Sequence, residues 1–184
     1  MNEPKNPKIL NAEIVAQTRI FKIEQLDLEF SNGVVAQYER LLGSKRGAVL
    51  IVPMLDNDTV LLIREYAAGL HRYELGLPKG KIEGDEGILE AANREIQEEV
   101  GYASRKLEHI NSMTLAPGYL SHTTHIVLAR DLYEARAEGD EPEEIEVVPW
   151  SLADLDKLLL RDDFSEARSI AALYMVREGL LSGG

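Results

Sequence analysis

An acidic segment, residues 80–102, constrains the fold of this chain more than any other feature, because it lies between two apolar segments. An acidic residue and glycines at its start, and Gly101 near its end, predict a helix that begins near Glu86. Each residue turns a helix by about 100°, so residues four apart share a face. Glu95 and Glu99 therefore fall at the edge of the apolar stripe and not opposite it.

Glu98 lies close in helical angle to Arg94, so three carboxylates gather at the margin of a buried face. Buried carboxylates repel one another and lose hydration, and a bound cation relieves both costs. The chain contains no cysteine. Oxygen ligands without thiolates predict Mg²⁺, with Mn²⁺ as the alternative, and argue against zinc.

Composition limits the classes of function that are open to the chain. Its 184 residues, 45% of them apolar, are enough for one good core with a small additional subdomain. The net charge of −12 argues against a nucleic-acid-binding protein, since such proteins carry basic stripes. Neither a signal peptide nor an apolar run of membrane-spanning length is found, so we expect a cytoplasmic protein without a membrane partner.

Three strand-like runs at the start of the chain predict a separate antiparallel sheet. An Asn-Gly pair joins the last two runs, which is a strong hairpin signal. A small sheet needs cover on its second face, so we expect residues 1–45 to form a strand subdomain that makes a homodimer, and residues 46–184 to form a catalytic domain. The three runs span residues 9–17, 21–30 and 34–42.

In the second domain, apolar runs at 48–54 and 59–64 predict a central hairpin, because a short Asp-rich turn separates them. Helical patterns follow strand patterns up to the end of the chain, with final helices expected at 151–160 and 165–181. Strands interspersed with helices predict an α/β or α+β fold with a mixed sheet.

The residues of the acidic segment also form a recognisable motif. Gly80, Glu86, Arg94-Glu95-Ile96, Glu98-Glu99 and Gly101 have the spacing of the Nudix box, which the chain resembles at each of these positions. Only the last position differs, since Tyr102 stands where the family usually has an aliphatic residue. The resemblance implies the Nudix α/β/α sandwich and the hydrolysis of a nucleoside diphosphate that is linked to another moiety.

Residues outside the box resemble the ADP-ribose pyrophosphatase branch of the family. They are Arg64-Glu65-Tyr66, Glu74, Pro117 and the segment 167–173. This resemblance implies metal-dependent hydrolysis of ADP-linked compounds, namely ADP-ribose, NADH and diadenosine polyphosphates, with release of AMP. A catalytically silent domain that senses ADP-ribose or a dinucleotide is the alternative, although a binding protein has no need for crowded carboxylates.

The catalytic residues follow from this chemistry, because a pyrophosphate must be screened and water must be activated. We expect Glu95 and Glu99 as the main metal ligands, supported by Glu98 and by a carbonyl of Lys79 or Gly80. Arg94 is expected to orient the carboxylates, although a simple ion pair with Glu98 is an open alternative. The resemblance to ADP-ribose hydrolases implies a general base in the acidic loop 136–144, with a box glutamate as the alternative. The loop candidates are Glu138, Glu141, Glu143 and Glu144, of which Glu141 and Glu144 enter the predicted site.

Substrate-binding residues are predicted on both sides of the box. Phe21 and Tyr119 are candidates for stacking on the adenine base, and Arg40 and Arg64 for binding phosphate or ribose. In the dimeric branch, Phe21 and Arg40 would act on the active site of the partner copy. Glu74 and Pro117 complete the predicted substrate-binding set.

Overall fold

The computed structural model describes residues 5–139 and 141–182, and contacts between Cα atoms divide the chain into two units. The first unit contains the chain up to Lys45 together with Thr114–Thr123, and the second contains Arg46–Met113 with the chain from Thr124 onward. The 114–123 segment therefore belongs with the N-terminal strands.

Strands predominate in the described residues. The strands are β1 (Lys8–Gln17), β2 (Lys22–Glu29), β3 (Val35–Leu42), β4 (Ala48–Pro53), β5 (Thr59–Ala67), β6 (Arg72–Gly76), β7 (Lys79–Lys81), β8 (Tyr102–Met113), β9 (Leu120–Ser121), β10 (Thr124–Glu134) and β11 (Glu146–Ser151). The helices are α1 (Ile88–Glu99), α2 (Leu155–Leu158), which follows a 3₁₀ turn at Leu152–Asp154, and α3 (Ala167–Ser182). No helix in the described part of the chain has the length and apolar character needed to cross a membrane.

The first unit is a four-stranded sheet in the order β1-β2-β3-β9. The expected Asn-Gly turn joins β2 to β3: Gly33 has a φ of +81°, which only glycine adopts easily. The Asn32 side-chain oxygen accepts a hydrogen bond of 3.1 Å from the Val34 amide. All ten residues of β1 are exposed in the single chain.

The second unit contains a mixed sheet, β7-β4-β10-β8, and an antiparallel sheet, β11-β5-β6. Strands β4 and β10 are parallel, and the other pairs in the mixed sheet are antiparallel. Alternate residues of β4 face two different cores: Val49 packs in the cluster that contains α1 residues, and Leu50 packs in the cluster that contains α2 and α3 residues. The strands therefore form a middle layer between helices, which confirms the predicted α/β/α sandwich.

The predicted hairpin of residues 48–54 and 59–64 is wrong. Strands β4 and β5 lie in different sheets and share only the isolated bridge between Met54 and Val60. The reason is that both runs are apolar at successive positions, so both faces of each strand are buried. Strands of this kind occupy the middle of a structure and pair with distant segments.

Candidate active site

The short strand β7 brings backbone atoms of Lys79 and Gly80 against the side chains of helix α1. The Lys79 amide donates a hydrogen bond of 2.9 Å to the Glu99 carboxylate. At Gly80, any Cβ atom would overlap the carboxylate of Glu95. A side chain at residue 80 would therefore require the Glu95 carboxylate to move from its present position. The Glu95 and Glu99 carboxylates both lie against the same stretch of backbone.

Helix α1 begins two residues later than the sequence predicted, with Gly87 as its N-cap. Glu86 lies outside the helix because its carboxylate accepts hydrogen bonds from Arg94 and from the Glu83 amide. Glu90 takes over the capping role and accepts a 2.8 Å bond from the Gly87 amide. Gly101 follows the C-cap with a φ of +82°, as expected for a helix terminator.

The carboxylates of Glu95 and Glu99 are buried, with only 8% and 6% of each residue exposed. Burial raises the pKa of Glu99 to about 8, against the opposing effect of the Lys79 amide. Burial also raises the pKa of Glu95, although Arg94 opposes this shift. The negative charges on these two groups are thus only partly compensated by their surroundings.

Arg94 is the centre of an ion-pair network, which we call the Arg94 cluster. Its guanidinium lies 2.8 Å from a carboxylate oxygen of Glu86, 2.8 Å from one of Glu95 and 2.9 Å from one of Glu98. It also donates to the Lys81 carbonyl at 3.0 Å. The hydrogen bonds with Glu86, followed by the charge and hydrogen bond of Glu95, raise the pKa of Arg94. Arg94 therefore does more than form a simple ion pair with Glu98.

A cavity of about 900 Å³ opens over these residues. One wall is the Lys79–Lys81 strand with the acidic face of α1, and another is the acidic segment that precedes β11. Arg136 is a cation in that segment, 3.9 Å from Glu144. The described glutamates that line the cavity are Glu83, Glu95, Glu98, Glu99, Glu138, Glu141, Glu143 and Glu144.

The donor groups at this site fit a hard divalent cation by their chemistry, because they are carboxylate and carbonyl oxygens with uncompensated buried charge. Their present arrangement is not a finished metal site: among the described residues, no three acidic or imidazole groups are placed to hold an ion together. Arg94 explains this, since its guanidinium already takes oxygens of Glu95 and Glu98. A cation held by all three of Glu95, Glu98 and Glu99 would therefore need local rearrangement of these side chains.

A second ion-pair network surrounds Arg64, and we call it the Arg64 cluster. Arg64 lies 2.8 Å from Glu146 and 2.6 Å from Asp163, and Asp163 also lies 2.8 Å from Arg161. Arg64 borders a smaller cavity of about 390 Å³. Its guanidinium, which the sequence suggested for phosphate or ribose, is engaged by carboxylates of its own chain.

Glu74 is another predicted substrate-binding residue, and the structure places it in the protein interior at 7% exposure. Its carboxylate pairs with Arg72 and accepts bonds of 3.1 and 3.0 Å from the Ser165 amide and hydroxyl. Helix α3 begins at Ala167, directly after Glu166, whose carboxylate accepts a 2.8 Å hydrogen bond from the Ser169 amide in the first turn. In this chain Glu74 connects β6 to the segment before α3.

The remaining predicted substrate-binding residues lie in the first unit. Phe21 and Tyr119 are 54% and 60% exposed. Arg40 forms an ion pair of 2.6 Å with Glu24 on the neighbouring strand. Pro117 occupies the second position of a turn in which the Tyr119 amide donates to the Ala116 carbonyl at 3.1 Å.

The structure adds two interactions that the sequence did not reveal. The Lys79 side chain forms an ion pair with Glu65, and the Tyr73 hydroxyl donates a 2.6 Å bond to Glu143. The sequence carried only a weak signal for them, namely Tyr and Glu residues in both strand patterns. The antiparallel register of β5 and β6 places Glu65 opposite Glu74 and Tyr66 opposite Tyr73. The partners of Lys79 and Tyr73 could not be inferred without the fold.

Comparisons with known proteins agree with this architecture. Residues 7–40 match the NudE-type Nudix hydrolase N-terminal domain, and residues 44–173 match the NUDIX domain. The ADP compounds hydrolase NudE of Escherichia coli (strain K12) is 49% identical over 180 residues, which cover 98% of this chain and 96% of that protein. An ADP-ribose pyrophosphatase of Bacillus subtilis (strain 168) is 30% identical over 92% of this chain and 95% of its own length.

A solved structure leads to the same family. The crystal structure of an ADP compounds hydrolase superposes with a TM-score of 0.92 at 48% identity, covering 100% of this chain and 99% of that one. The box spacing, the buried glutamates on α1 and the sandwich fold are all accounted for by this relationship. The chain belongs to the Nudix hydrolase family, and its N-terminal strands belong to the NudE type of that family.

Proposed function

We propose that this hydrolase cleaves the pyrophosphate bond of ADP-linked compounds and releases AMP. The observation that carries the proposal is the pair of buried carboxylates, Glu95 and Glu99, held against Lys79 and Gly80 in a cavity of about 900 Å³. The names of the two relatives support the substrate class, since one is an ADP compounds hydrolase and the other an ADP-ribose pyrophosphatase. ADP-ribose, NADH and diadenosine polyphosphates are the proposed substrates.

Nudix hydrolases use divalent metal ions, and we propose Mg²⁺ here, with Mn²⁺ as a substitute. Glu95 and Glu99 would be the main ligands, with Glu98 and a carbonyl of Lys79 or Gly80 completing the set. A divalent ion bound there would neutralise charge on the phosphate oxygens and lower the pKa of a water molecule. Arg94 then orients the carboxylates through charge-assisted hydrogen bonds.

In the proposed reaction, the oxygen of water bonds to one phosphorus atom and the bridging P–O bond breaks. The proton of the water passes to a base, and the bridging oxygen leaves with the other phosphate. Glu141 and Glu144 line the cavity and are the proposed bases. Changing each to glutamine singly identifies the base, which is the residue whose loss lowers kcat while KM is retained.

The same proposal includes a homodimer. Strand β1 stands at the edge of its sheet, and large apolar side chains on both of its faces are about half exposed, including Ile9, Leu10, Ile14 and Val15. An exposed edge strand of this kind is an interaction surface. Phe21 and Arg40 are then proposed to complete the site of the partner copy, and Tyr119 to stack on adenine.

Light scattering on the purified chain tests the dimer. We expect the mass of two chains, and a shift to one chain when Ile14→Asp places a charge on β1. A single-chain mass for the unmodified protein, over the concentration range of the activity assay, would contradict the dimer proposal.

The activity itself is tested by incubating the protein and Mg²⁺ with ADP-ribose, NADH, diadenosine triphosphate and nucleoside triphosphates. We expect AMP from the first three compounds. If none of these three compounds yields AMP, the proposed function is refuted. Because highly charged nucleotides do not cross a bilayer unaided, the proposed substrates also point to the cytoplasm as the working compartment.

A further inference from the structure

One hydrogen bond connects the body of the second unit to the acidic wall of the catalytic cavity. The Tyr73 hydroxyl, on β6, donates to the Glu143 carboxylate at 2.6 Å. Residues 141–145 line both the large and the small cavity, whereas Tyr73 lines only the small one. Tyr73 therefore touches the acidic wall from the side away from the catalytic glutamates of α1.

The ring of Tyr73 is about half exposed and packs against that of Tyr66. Tyr66 stands opposite it in the β5–β6 ladder, and the two ring centroids are 5.8 Å apart in an edge-to-face arrangement. The Tyr66 hydroxyl bonds the His71 ring nitrogen at 2.5 Å, so Tyr66 is held by a residue other than the acidic wall. This ring packing does not need the Tyr66 hydroxyl, and it lets Tyr73 anchor a segment that has few regular backbone bonds.

The acidic segment has little regular structure of its own, because the described residues from Ala135 to Ile145 belong to no helix or strand. At its start, the Ala135 amide donates to the Gly101 carbonyl at 3.0 Å and the Ala137 amide donates to the Gln97 carbonyl at 3.1 Å. The bond from Tyr73 is a third attachment, next to the two glutamates proposed as bases. The hydrogen bond to Glu143 also raises the pKa of Tyr73, so the phenol keeps the proton that it donates.

We propose that Tyr73 is a positioning residue, whose bond to Glu143 fixes where Glu141 and Glu144 stand on the cavity wall. The inference rests on the proposed hydrolase function, since the base acts only if the site cleaves a pyrophosphate. In this proposal Glu143 anchors the wall, so the general base is Glu141 or Glu144. Proton transfer depends steeply on the position of the base, so loss of the anchor reduces turnover more than substrate binding.

The first test compares Tyr73→Phe with Tyr66→Phe in the ADP-ribose assay. Both variants keep the ring and lose one hydroxyl, but only the Tyr73 hydroxyl contacts the acidic wall. We expect kcat of Tyr73→Phe to fall roughly tenfold, as for loss of a hydrogen bond to a charged group, with KM nearly unchanged. Tyr66→Phe should keep its kcat, and an equal fall in both variants would overturn the proposal.

The second test uses Glu143. Glu143→Gln retains a carbonyl acceptor for the phenol and should keep most of the turnover, whereas Glu143→Ala should match Tyr73→Phe. The double variant Tyr73→Phe/Glu143→Ala should be no worse than either single variant, because both remove the same bond. If Glu143→Gln is as poor as Glu143→Ala, or if the two losses multiply, Glu143 has a different role and the proposal fails.

Hydrogen exchange provides a measurement that does not depend on activity. In Tyr73→Phe, peptides that cover residues 141–145 should exchange their amide hydrogens faster than in the wild type or in Tyr66→Phe. Unchanged exchange would overturn the proposed anchor even if kcat fell. Conversely, a wild-type protein that releases no AMP refutes the hydrolase function, while the exchange rates still decide whether Tyr73 holds the wall.

Discussion

The Arg94 cluster and the Arg64 cluster are built from the same residue types, but they differ in their balance of charge. In the Arg64 cluster, Arg64 and Arg161 face the two carboxylates of Glu146 and Asp163. In the Arg94 cluster, one guanidinium bonds three carboxylates, and Glu99 nearby relies on a backbone amide. The first network is balanced, whereas the second holds surplus negative charge.

The pKa shifts follow this difference. Hydrogen bonds from Arg161, and then from Arg64, hold the pKa of Asp163 far below its usual range. Burial instead raises the pKa of Glu95 and Glu99, and Arg94 and Lys79 respectively offset only part of this effect. A balanced network stabilises the fold, whereas a surplus of buried carboxylates costs stability and indicates a site for a cationic ligand.

The sharpest test of this contrast is Glu99→Gln. We expect kcat to fall by roughly a thousandfold, because a metal ligand that stabilises transition-state charge contributes several kcal/mol. The free energy of unfolding of the metal-free protein should not fall, since an amide replaces a carboxylate that is costly to bury. AMP release and thermal unfolding measure the two effects.

The control for Glu99→Gln is Glu108→Gln, which removes an exposed carboxylate outside both clusters and should leave kcat unchanged. Turnover of Glu99→Gln within a few-fold of wild type would remove Glu99 from the metal site.

Gly80→Ala tests whether the backbone of β7 fixes the Arg94 cluster. The new Cβ would overlap the Glu95 carboxylate, so we expect kcat to fall roughly a hundredfold from misplacement of a ligand. Gly69→Ala is the matched variant, because no atom lies within 4 Å of its new Cβ. Equal activity in the two variants would show that Glu95 moves aside without cost.

Addition of metal should distinguish the two clusters by stability. With Mg²⁺ at about a hundred times its dissociation constant, the free energy of unfolding should rise by about 2.7 kcal/mol. The rise should disappear in Glu99→Gln and persist in Asp163→Asn. Differential scanning calorimetry measures it, and a rise that survives in Glu99→Gln would place the ion elsewhere.

The smallest expected effect is the dependence of stability on pH in the Arg64 cluster. Because the pKa of Asp163 is lowered in the folded state, its contribution is present above the ordinary value of 3.8 and is lost as the pH falls. Asp163→Asn should cost about 1 kcal/mol at neutral pH. The difference in free energy of unfolding between Asp163→Asn and wild type should shrink in acid. Urea unfolding at several pH values measures it, and a difference that stays constant with pH would contradict the prediction.

The sequence predicted the parts that depend on local spacing. The spacing of the acidic segment predicted helix α1, its terminator Gly101 and the gathering of glutamates at one face. The strand and helix patterns predicted an α/β or α+β fold, and the resemblance to the Nudix family implied the α/β/α sandwich. The helix start was misplaced because Glu86 is held by Arg94, eight residues away. The predicted pairing of β4 with β5 was wrong because the sequence of a uniformly apolar strand does not indicate which strand it pairs with.

The partners of Arg64 and Glu74 could not be predicted, because these contacts join residues that are far apart in the sequence. Arg64 meets Asp163, which is 99 residues away, and Glu74 meets Ser165, which is 91 residues away. Charge alone suggested binding of phosphate or ribose for Arg64, since a sequence does not show which charges neutralise one another after folding.

The close approach at Gly80 has a consequence for how such a protein can change over evolutionary time. Every other amino acid carries a Cβ, so any missense substitution at this one codon meets the Glu95 carboxylate before any other group. A single step could therefore convert a hydrolase into a folded protein that still has its substrate cavity but turns over far more slowly. Gene duplicates of this kind would offer a short route from an enzyme to a nucleotide sensor.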